Sequence, residues 1–466
     1  MVRNDIRHGR YSNGNVRRYH GLNLDEEPIT ARSLACIMGM SDFATNPRES
    51  SMHNIGDDST TAARCHVCDA PLSEFVDFGK QPLSDAFVRP DGIRDEFFFR
   101  LAVGFCPECT MVQLMDEVPR ERMFNAEYPY LSSGSAVMRE HFRDTAREFL
   151  GTELNRSNPF IVELGCNDGA MLATIADAGV RHLGMEPCSG VAELARGKGI
   201  QVRSEFFEYG SALDIREGYG PADVIYAANT LCHIPYMDSI LRGVDALLAD
   251  DGVFVFEDPY FADILERTSF DQIYDEHFFF FSARSVRELS RRHGLELVDV
   301  RRLHVHGGEV RYTLARTGRR VARPSVAELI EQEWLAGVAD PGTLDRFRGH
   351  VETVRSELRD TLEDLHDRGK RVVGYGATAK SATVVNYCGI GTEWVPFVCD
   401  STPAKQGKLM PGSHIPVQAP EEFGRPFPDY ALLFAWNHAE EIMANEREFR
   451  TGGGQWLLYV PRVHLR

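Results

Sequence analysis

The chain has little positive charge to spare. Lysine and arginine number 51 against 69 aspartates and glutamates, a formal charge of -18 over 466 residues. That deficit opposes a nonspecific grip on nucleic acid or on an anionic membrane, because both need a clustered positive surface. Any anionic ligand must be held by local donors. Long apolar runs are also missing: none reaches the roughly 18 to 20 residues of a membrane-spanning helix. The first stretch, MVRNDIRHGRYSNGNVRRYHG, has no apolar core of the kind an export signal needs. The expectation is a cytoplasmic, enzyme-like protein with no nucleic-acid and no membrane partner, a monomer or weak homo-oligomer. Its ten cysteines should then be reduced thiols or metal ligands rather than disulfides.

A chain of this length exceeds what one core usually supports, so two or three domains are expected. Residues 1–60, rich in Arg, Asn, Ser and Asp, show no sustained helical or strand period and read as a disordered extension. Met52 is a plausible alternative start. Cys36, in LACIMGM, is assigned no function.

The first chemical signal is CHVC at 65–68 answered by CPEC at 106–109. Two C-x2-C hooks present four thiolates, which suits tetrahedral zinc at about 2.3 Å through Cys65, Cys68, Cys106 and Cys109. Four ordinary buried cysteines are the plain alternative. With every position filled by sulfur the metal would be structural, and EFVDFG and FFFRLAVGF between the hooks read as strands of a module spanning 61–127.

The second signal is NPFIVELGCNDGAMLATIADAG, from Asn158 to Gly179: an apolar strand, a glycine turn and an amphipathic helix, the start of a doubly wound sheet. Gly165 and Gly169 would let the backbone approach a ligand, and the helix start offers free N–H groups. The spacing is not G-x-G-x-x-G, so a nicotinamide dinucleotide is not the natural ligand. RHLGMEPC places Glu186 at the carboxyl end of a second strand, where a carboxylate can accept from both ribose hydroxyls. ADVIYAANTLCHIP ends a further strand at Asn229, GVFVFEDP supplies another, and GLELVDVRRLHVHGGEVRYTLAR reads as a closing hairpin. This α/β pattern, over 128–318, resembles the class I S-adenosylmethionine-dependent methyltransferases. The resemblance implies that Gly165 and Asn167 lie beside the methionine part of the cofactor and that Glu186 holds its ribose. Phe206 and Phe207, in SEFFEYG, lie where that family contacts adenine, and each could equally be a core phenylalanine.

From about 319 to 466 a charged helical run leads into RVVGYGATAKSATVVNY, again strand, glycine turn and helix. A second Rossmann-like domain is expected there, with Lys380 and Ser381 in reach of an anion cradle at the helix start. A decayed repeat is the alternative. Asn437 and His438, in AWNH, end a strand at the same edge. VGYGATAK stops short of the full dinucleotide spacing, which counts against a dehydrogenase.

Between these domains lies YDEHFFFF, residues 274–281. It follows a strand ending at Glu257 and so falls at the ligand-collecting carboxyl edge. Tyr274, Glu276, His277 and the separate His233 of LCHIPY could supply a base and donors for an enolate. Equally, YDEH could be a solvated turn ahead of an apolar strand.

The order of zinc module, ELGCNDG, TSFDQIYDEHFFFFS, VHGGEVRYTLAR, VVGYGATAKSATVVNYCGIG and YALLFAWNHAEEI is similar to the sugar 3-C-methyltransferases of antibiotic deoxysugar pathways, which act on TDP-linked 4-keto-2,6-dideoxyhexoses. The likeness runs from about residue 62 to the end. It implies His277 as the base that removes the C3 proton, with Tyr274, Glu276 and His233 around the sugar. Tyr128, in YPYLSSGS, would contact substrate or cofactor, and Lys380 the nucleotide diphosphate. QPLSDAF departs from the PLANAF-like segment of that family, which leaves open a shifted substrate preference. An O- or N-methyltransferase acting on a nucleotide sugar or natural-product scaffold is the competing enzyme; a zinc-module regulator with an inert methyltransferase fold is the competing non-enzyme.

Overall fold

Among the described residues three sheets succeed one another, and each owes its place to the burial pattern of its strands. The computed structural model describes residues 63–126, 128–424 and 426–466; the extension expected at 1–60, with Cys36, lies outside them. The first sheet takes β1 (Ser73–Pro82), β2 (Phe98–Phe105) and β3 (Val112–Leu114) in antiparallel order.

The second takes β4 (Phe160–Leu164), β5 (Arg181–Met185), β6 (Val202–Arg203), β7 (Ala222–Ala228) and β8 (Leu248–Pro259). FIVEL is buried at all five positions, the continuous apolar run of a parallel strand covered on both faces. A short strand, β9 (Phe279–Phe280), then leaves the middle of the chain and pairs with β3 of the first sheet, Phe280 opposite Val112. The four phenylalanines after YDEH are therefore the strap between two sheets, each under 5% exposed.

A hairpin of β10 (Leu295–Leu303) and β11 (Glu309–Arg316) completes the second sheet, in the order β10-β11-β8-β7-β4-β5-β6 with β11 running against the other strands. The third sheet takes β12 (Val372–Tyr375), β13 (Val398–Cys399), β14 (Val417–Gln418), β15 (Tyr430–Leu433), β16 (Gln455–Leu458) and β17 (His464–Leu465). Its order, β14-β13-β12-β15-β16-β17, reproduces the 3-2-1-4-5-6 sequence of a Rossmann sheet, apart from the antiparallel β17.

The charged run before the third sheet forms two helices, Pro324–Ala336 and Pro341–Asp367. The longer buries Leu344, Phe347, Val351, Val354, Leu358, Leu362 and Leu365, a stripe at three- and four-residue spacing. Pro341 opens it, and the Asp340 carboxylate caps it by accepting from Gly342 N–H at 2.8 Å. Its stripe meets the first sheet, where the Phe347 and Phe75 rings pack edge to face at 6.4 Å. One apolar core thus runs from Cys65 to Val460 and holds the carboxyl edges of the second and third sheets around a common cleft. Among the described residues no helix is long and apolar enough to cross a membrane.

Candidate active site

The two cysteine hooks close on each other. Cys65 Sγ lies 3.5 Å from Cys109 Sγ, and Cys68 Sγ lies 3.4 Å from Cys106 Sγ. A sulfur tetrahedron with bonds of about 2.3 Å has edges of roughly 3.8 Å, so the thiols stand at metal-site spacing. Both hooks turn alike: Asp69 and Thr110 sit at φ 63° and 61°, and their N–H groups donate to the Cys65 and Cys106 carbonyls at 2.8 and 2.9 Å. A zinc ion held there is closed to water and therefore structural. His66, inside the first hook, braces the cleft. Its Nδ1 meets the Pro235 carbonyl at 3.1 Å and its ring lies 4.8 Å from that of Phe278, residues that flank His233 and His277.

The cleft has a volume of about 860 Å³. On its methyltransferase side, β4 ends in Gly165 at φ +67°, where a Cβ would stand 2.4 Å from Thr230 Oγ1; only glycine leaves room for the turn and for a ligand beside it. The Glu186 carboxylate, at the end of β5, accepts the Asn167 N–H at 2.9 Å and the Cys188 N–H at 2.8 Å. It lines the cleft with free lone pairs remaining, and burial raises its pKa. Phe206, Phe207 and Asn229 line the same side, so this region has the carboxylate, the aromatic wall and the close backbone that a ribose, an adenine and a methionine moiety require.

Two expectations change in detail here. Gly169 does not line the cleft: a Cβ on it would meet Ile200 Cδ1 at 2.1 Å, so it is a packing glycine between helix and sheet. The Asn167 side chain faces the cleft but is occupied, its Oδ1 accepting Ser132 N–H at 2.9 Å and its Nδ2 donating to the Tyr130 carbonyl at 3.2 Å.

The histidines form a stack. The His233 ring lies between Phe124, at 5.5 Å, and His277, at 5.3 Å. His277 Nδ1 stands 2.7 Å from the Gln272 carbonyl, which can only accept, so Nδ1 carries the proton and Nε2 keeps the lone pair. The Tyr274 hydroxyl donates to that Nε2 at 2.8 Å. Burial, then the neighbouring His233, drives the His277 pKa well below its ordinary value, and burial pushes His233 down to about 3. Both imidazoles are neutral at physiological pH. Tyr128 donates to Glu276 Oε2 at 3.1 Å. Burial, with Asp85 and Asp275 beside it, raises the Glu276 pKa well above its ordinary value, which favours the protonated acid.

The opposite wall is the carboxyl edge of the third sheet. Lys380 starts the helix Ala379–Cys388, and its Nζ donates to Asn437 Oδ1 at 3.2 Å. His438 lines the cleft beside them. Ser381 does not: it is fully buried and donates its hydroxyl to the Thr378 carbonyl, leaving Thr378 itself as the cleft-facing hydroxyl residue.

Several cleft residues were invisible in the sequence reading. The Arg120 guanidinium covers the Phe206 ring at 4.1 Å and pairs with Glu208 at 2.7 Å. Lys405 Nζ pairs with Asp85 at 3.2 Å and donates to the Ala377 carbonyl at 2.9 Å, so one ammonium joins the first sheet to the third-sheet glycine turn. Phe124 and His306 complete the wall. The aromatic, arginine-rich run RERMFNAEYPY was the available signal; only its Tyr128 was singled out.

Known proteins place this arrangement. C-methyltransferase NovU from Streptomyces niveus is 35% identical to the chain over 407 residues, covering 86% of this chain and 96% of that protein. The chain belongs to the C-methyltransferase family. Family models divide it further: a zinc binding domain matches residues 65–124, a methyltransferase domain 137–300 and a C-methyltransferase C-terminal domain 304–461. Among solved structures, an S-adenosylmethionine-dependent methyltransferase from Anabaena variabilis is 16% identical, covering 37% of this chain and 84% of its own at a TM-score of 0.29. The CcbJ methyltransferase from Streptomyces caelestis is 15% identical, covering 38% of this chain and 89% of its own at a TM-score of 0.29. Those scores are too low to carry weight; the strand order and the family models establish the class I fold. As a C-methyltransferase the chain uses S-adenosylmethionine, and its zinc binding domain carries the four-cysteine cluster.

Proposed function

We propose that this C-methyltransferase adds a methyl group to C3 of a TDP-linked 4-keto-2,6-dideoxyhexose, with His277 as the general base. The observation that carries the reading is the fixed tautomer of His277: Nδ1–H is committed to the Gln272 carbonyl, so an unprotonated Nε2 lies in the cleft. A carbon acceptor, unlike a hydroxyl or amine, must lose a proton held by a carbonyl group and needs both a base and donors for the resulting oxyanion. Bound S-adenosylmethionine supplies an electrophilic methyl group on a sulfonium.

The chain's residues do the rest. In the free protein the Tyr274 O–H occupies the base's lone pair. When the sugar enters, that hydroxyl turns to the C4 oxygen and frees Nε2 for the C3 hydrogen. Burial holds the phenol protonated, which keeps it a donor as charge develops on the enolate oxygen. His233 stands within reach with a buried Nε2 that has no partner. Glu276 in its protonated form, which burial favours, can donate where a carboxylate could only accept. The β9 phenylalanines behind this group exclude water from the enolate.

Across the cleft, the helix start at Ala379 and the Lys380 ammonium suit a diphosphate. Burial lowers the Lys380 pKa, which Asp271 and Glu309 oppose; a bound diphosphate favours the charged form further.

The test is the position of the new methyl group. A panel of TDP-4-ketohexoses incubated with methyl donor should yield a product 14 mass units heavier, roughly one CH2, with the new methyl bonded to C3 by carbon NMR. Reduction of the C4 carbonyl should abolish turnover. A methyl on oxygen or nitrogen, or unchanged turnover of the reduced sugar, overturns the reading.

A further inference from the structure

The cleft holds a second set of metal-binding atoms. Cys232, His233 and His277 each offer one ligand atom, all within 4.8 Å of one another. Cys232 and His233 share the short turn Leu231–His233 after β7, and His277 comes from the segment that leads into β9. Cys232 is only 1% exposed and has no part in the chemistry above.

Four features point to a ligand rather than to packing. First, His277 donates its Nδ1–H to a backbone carbonyl and points the Nε2 lone pair into the cleft, the orientation that metal-bound imidazoles take. Second, His233 Nε2 is buried with no hydrogen-bond partner. Third, the Asp258 carboxyl is fully buried against the Cys232 thiol, with the Cys232 and Thr230 backbone N–H groups beside it. A buried acid beside a thiol is suited to balancing a bound cation. Fourth, His233 and His277 line the cleft with Cys232 buried behind them, which gives a metal a route in and a fourth position for water or the Tyr274 phenol.

We propose that Cys232, His233 and His277 form an inhibitory site for a thiophilic divalent cation, Zn2+ foremost. Binding forms one metal–sulfur and two metal–nitrogen bonds, and the hexaaqua ion keeps one water as its fourth ligand and releases the other five. The Cys232 S–H proton leaves to solvent, and no electrons are transferred. A tetrahedral ion with bonds of about 2.1 to 2.3 Å separates its ligands by roughly 3.4 to 3.6 Å, so the three side chains need to draw in by about 1 Å. The ion displaces the Tyr274 hydroxyl from Nε2, consumes the lone pair and stands where the sugar must sit. Unlike the four-sulfur site, which is closed, this one has an exchangeable position and fills or empties with free cation.

The inhibition arm rests on the reading of this cleft as the sugar site; the binding arm does not. Holoenzyme with its four-cysteine zinc in place is titrated with ZnCl2 without substrate, and bound metal is counted by calorimetry and dialysis. The wild type should take up one further equivalent per chain. Cys232→Ser and, separately, His277→Gln should each weaken that equivalent by more than the roughly 10- to 100-fold that loss of a mere outer partner costs. In turnover assays added Zn2+ should inhibit, nitrilotriacetate should restore activity, and Cys232→Ser should keep its metal-free rate while needing at least about tenfold more Zn2+ for half inhibition. No second equivalent, one of unchanged affinity in both variants, or one that binds without inhibiting overturns the proposal. If His277→Gln loses the metal but keeps full turnover in metal-free buffer, the base assignment fails while the site stands.

Discussion

Replacement of Glu186 by glutamine isolates what the cofactor side of the cleft owes to one carboxylate. In the structure each oxygen already serves a backbone donor, Asn167 N–H at 2.9 Å and Cys188 N–H at 2.8 Å. Both donors belong to segments that line the cleft. Glutamine keeps one acceptor oxygen but turns an NH2 group toward the second N–H. One charge-assisted hydrogen bond, about 1.5–3 kcal/mol, is lost, and a buried donor is left facing a donor. The same exchange removes one of the two acceptors available to a ribose. At about 1.4 kcal/mol per decade, S-adenosylhomocysteine should bind about 10- to 150-fold more weakly in calorimetry. Glu186→Ala, which orphans both N–H groups, should be weaker still and should melt at lower temperature. Affinity within about threefold of wild type in Glu186→Gln would refute the role of this carboxylate, because a typical neutral hydrogen bond of about 1 kcal/mol is already worth about fivefold.

Three other outcomes follow from the geometry. Stripping zinc by Cys68→Ser should lower the melting temperature and turnover together, since His66 loses its hold on Pro235 and Phe278; wild-type melting and rate in the zinc-free protein would contradict this. Lys405→Met leaves the Asp85 carboxylate without its cation and should destabilise the fold by about 3–5 kcal/mol, with Asp85→Asn added to it costing less than the sum of the two in a denaturant double-mutant cycle; strict additivity would show that the pair does not interact. Lys380→Met should raise the KM for the TDP-sugar about 10- to 150-fold through one lost charge-assisted contact, with kcat little changed; an unchanged KM would remove Lys380 from the substrate site.

What the sequence made legible was local. A C-x2-C hook carries its own turn, and a glycine turn after an apolar strand announces a sheet edge, so the meeting of the four cysteines and the place of Gly165 and Glu186 along the cleft could be read from local pattern. The misplacements come from geometry within one turn. Lys380 and Ser381 are adjacent, but about 100° of helical rotation separates them, and only the first faces the cleft. Gly169 looks like Gly165 in sequence, yet its constraint comes from Ile200 and Ala195, which the local pattern does not display. Long-range pairings were out of reach. The phenylalanine strap joins β3 only because Val112 and Phe280 meet in space, and Lys405 finds Asp85 across 320 positions. Amphipathic period identifies a strand or a helix; it says nothing of which distant element completes the wall.

The central claim, that His277 strips hydrogen from a carbon beside a ketone, is tested most directly by exchange at C3. The TDP-4-keto sugar is incubated in heavy water with enzyme and S-adenosylhomocysteine, so that no methyl can be transferred, and the C3 position is followed by proton NMR. Wild-type enzyme should replace the C3 hydrogen with deuterium. His277→Ala should bind S-adenosylhomocysteine as the wild type does, exchange no hydrogen above the enzyme-free rate, and turn over about 100- to 10,000-fold more slowly when methyl donor is supplied. Exchange and turnover within a few-fold of wild type in His277→Ala would contradict the account.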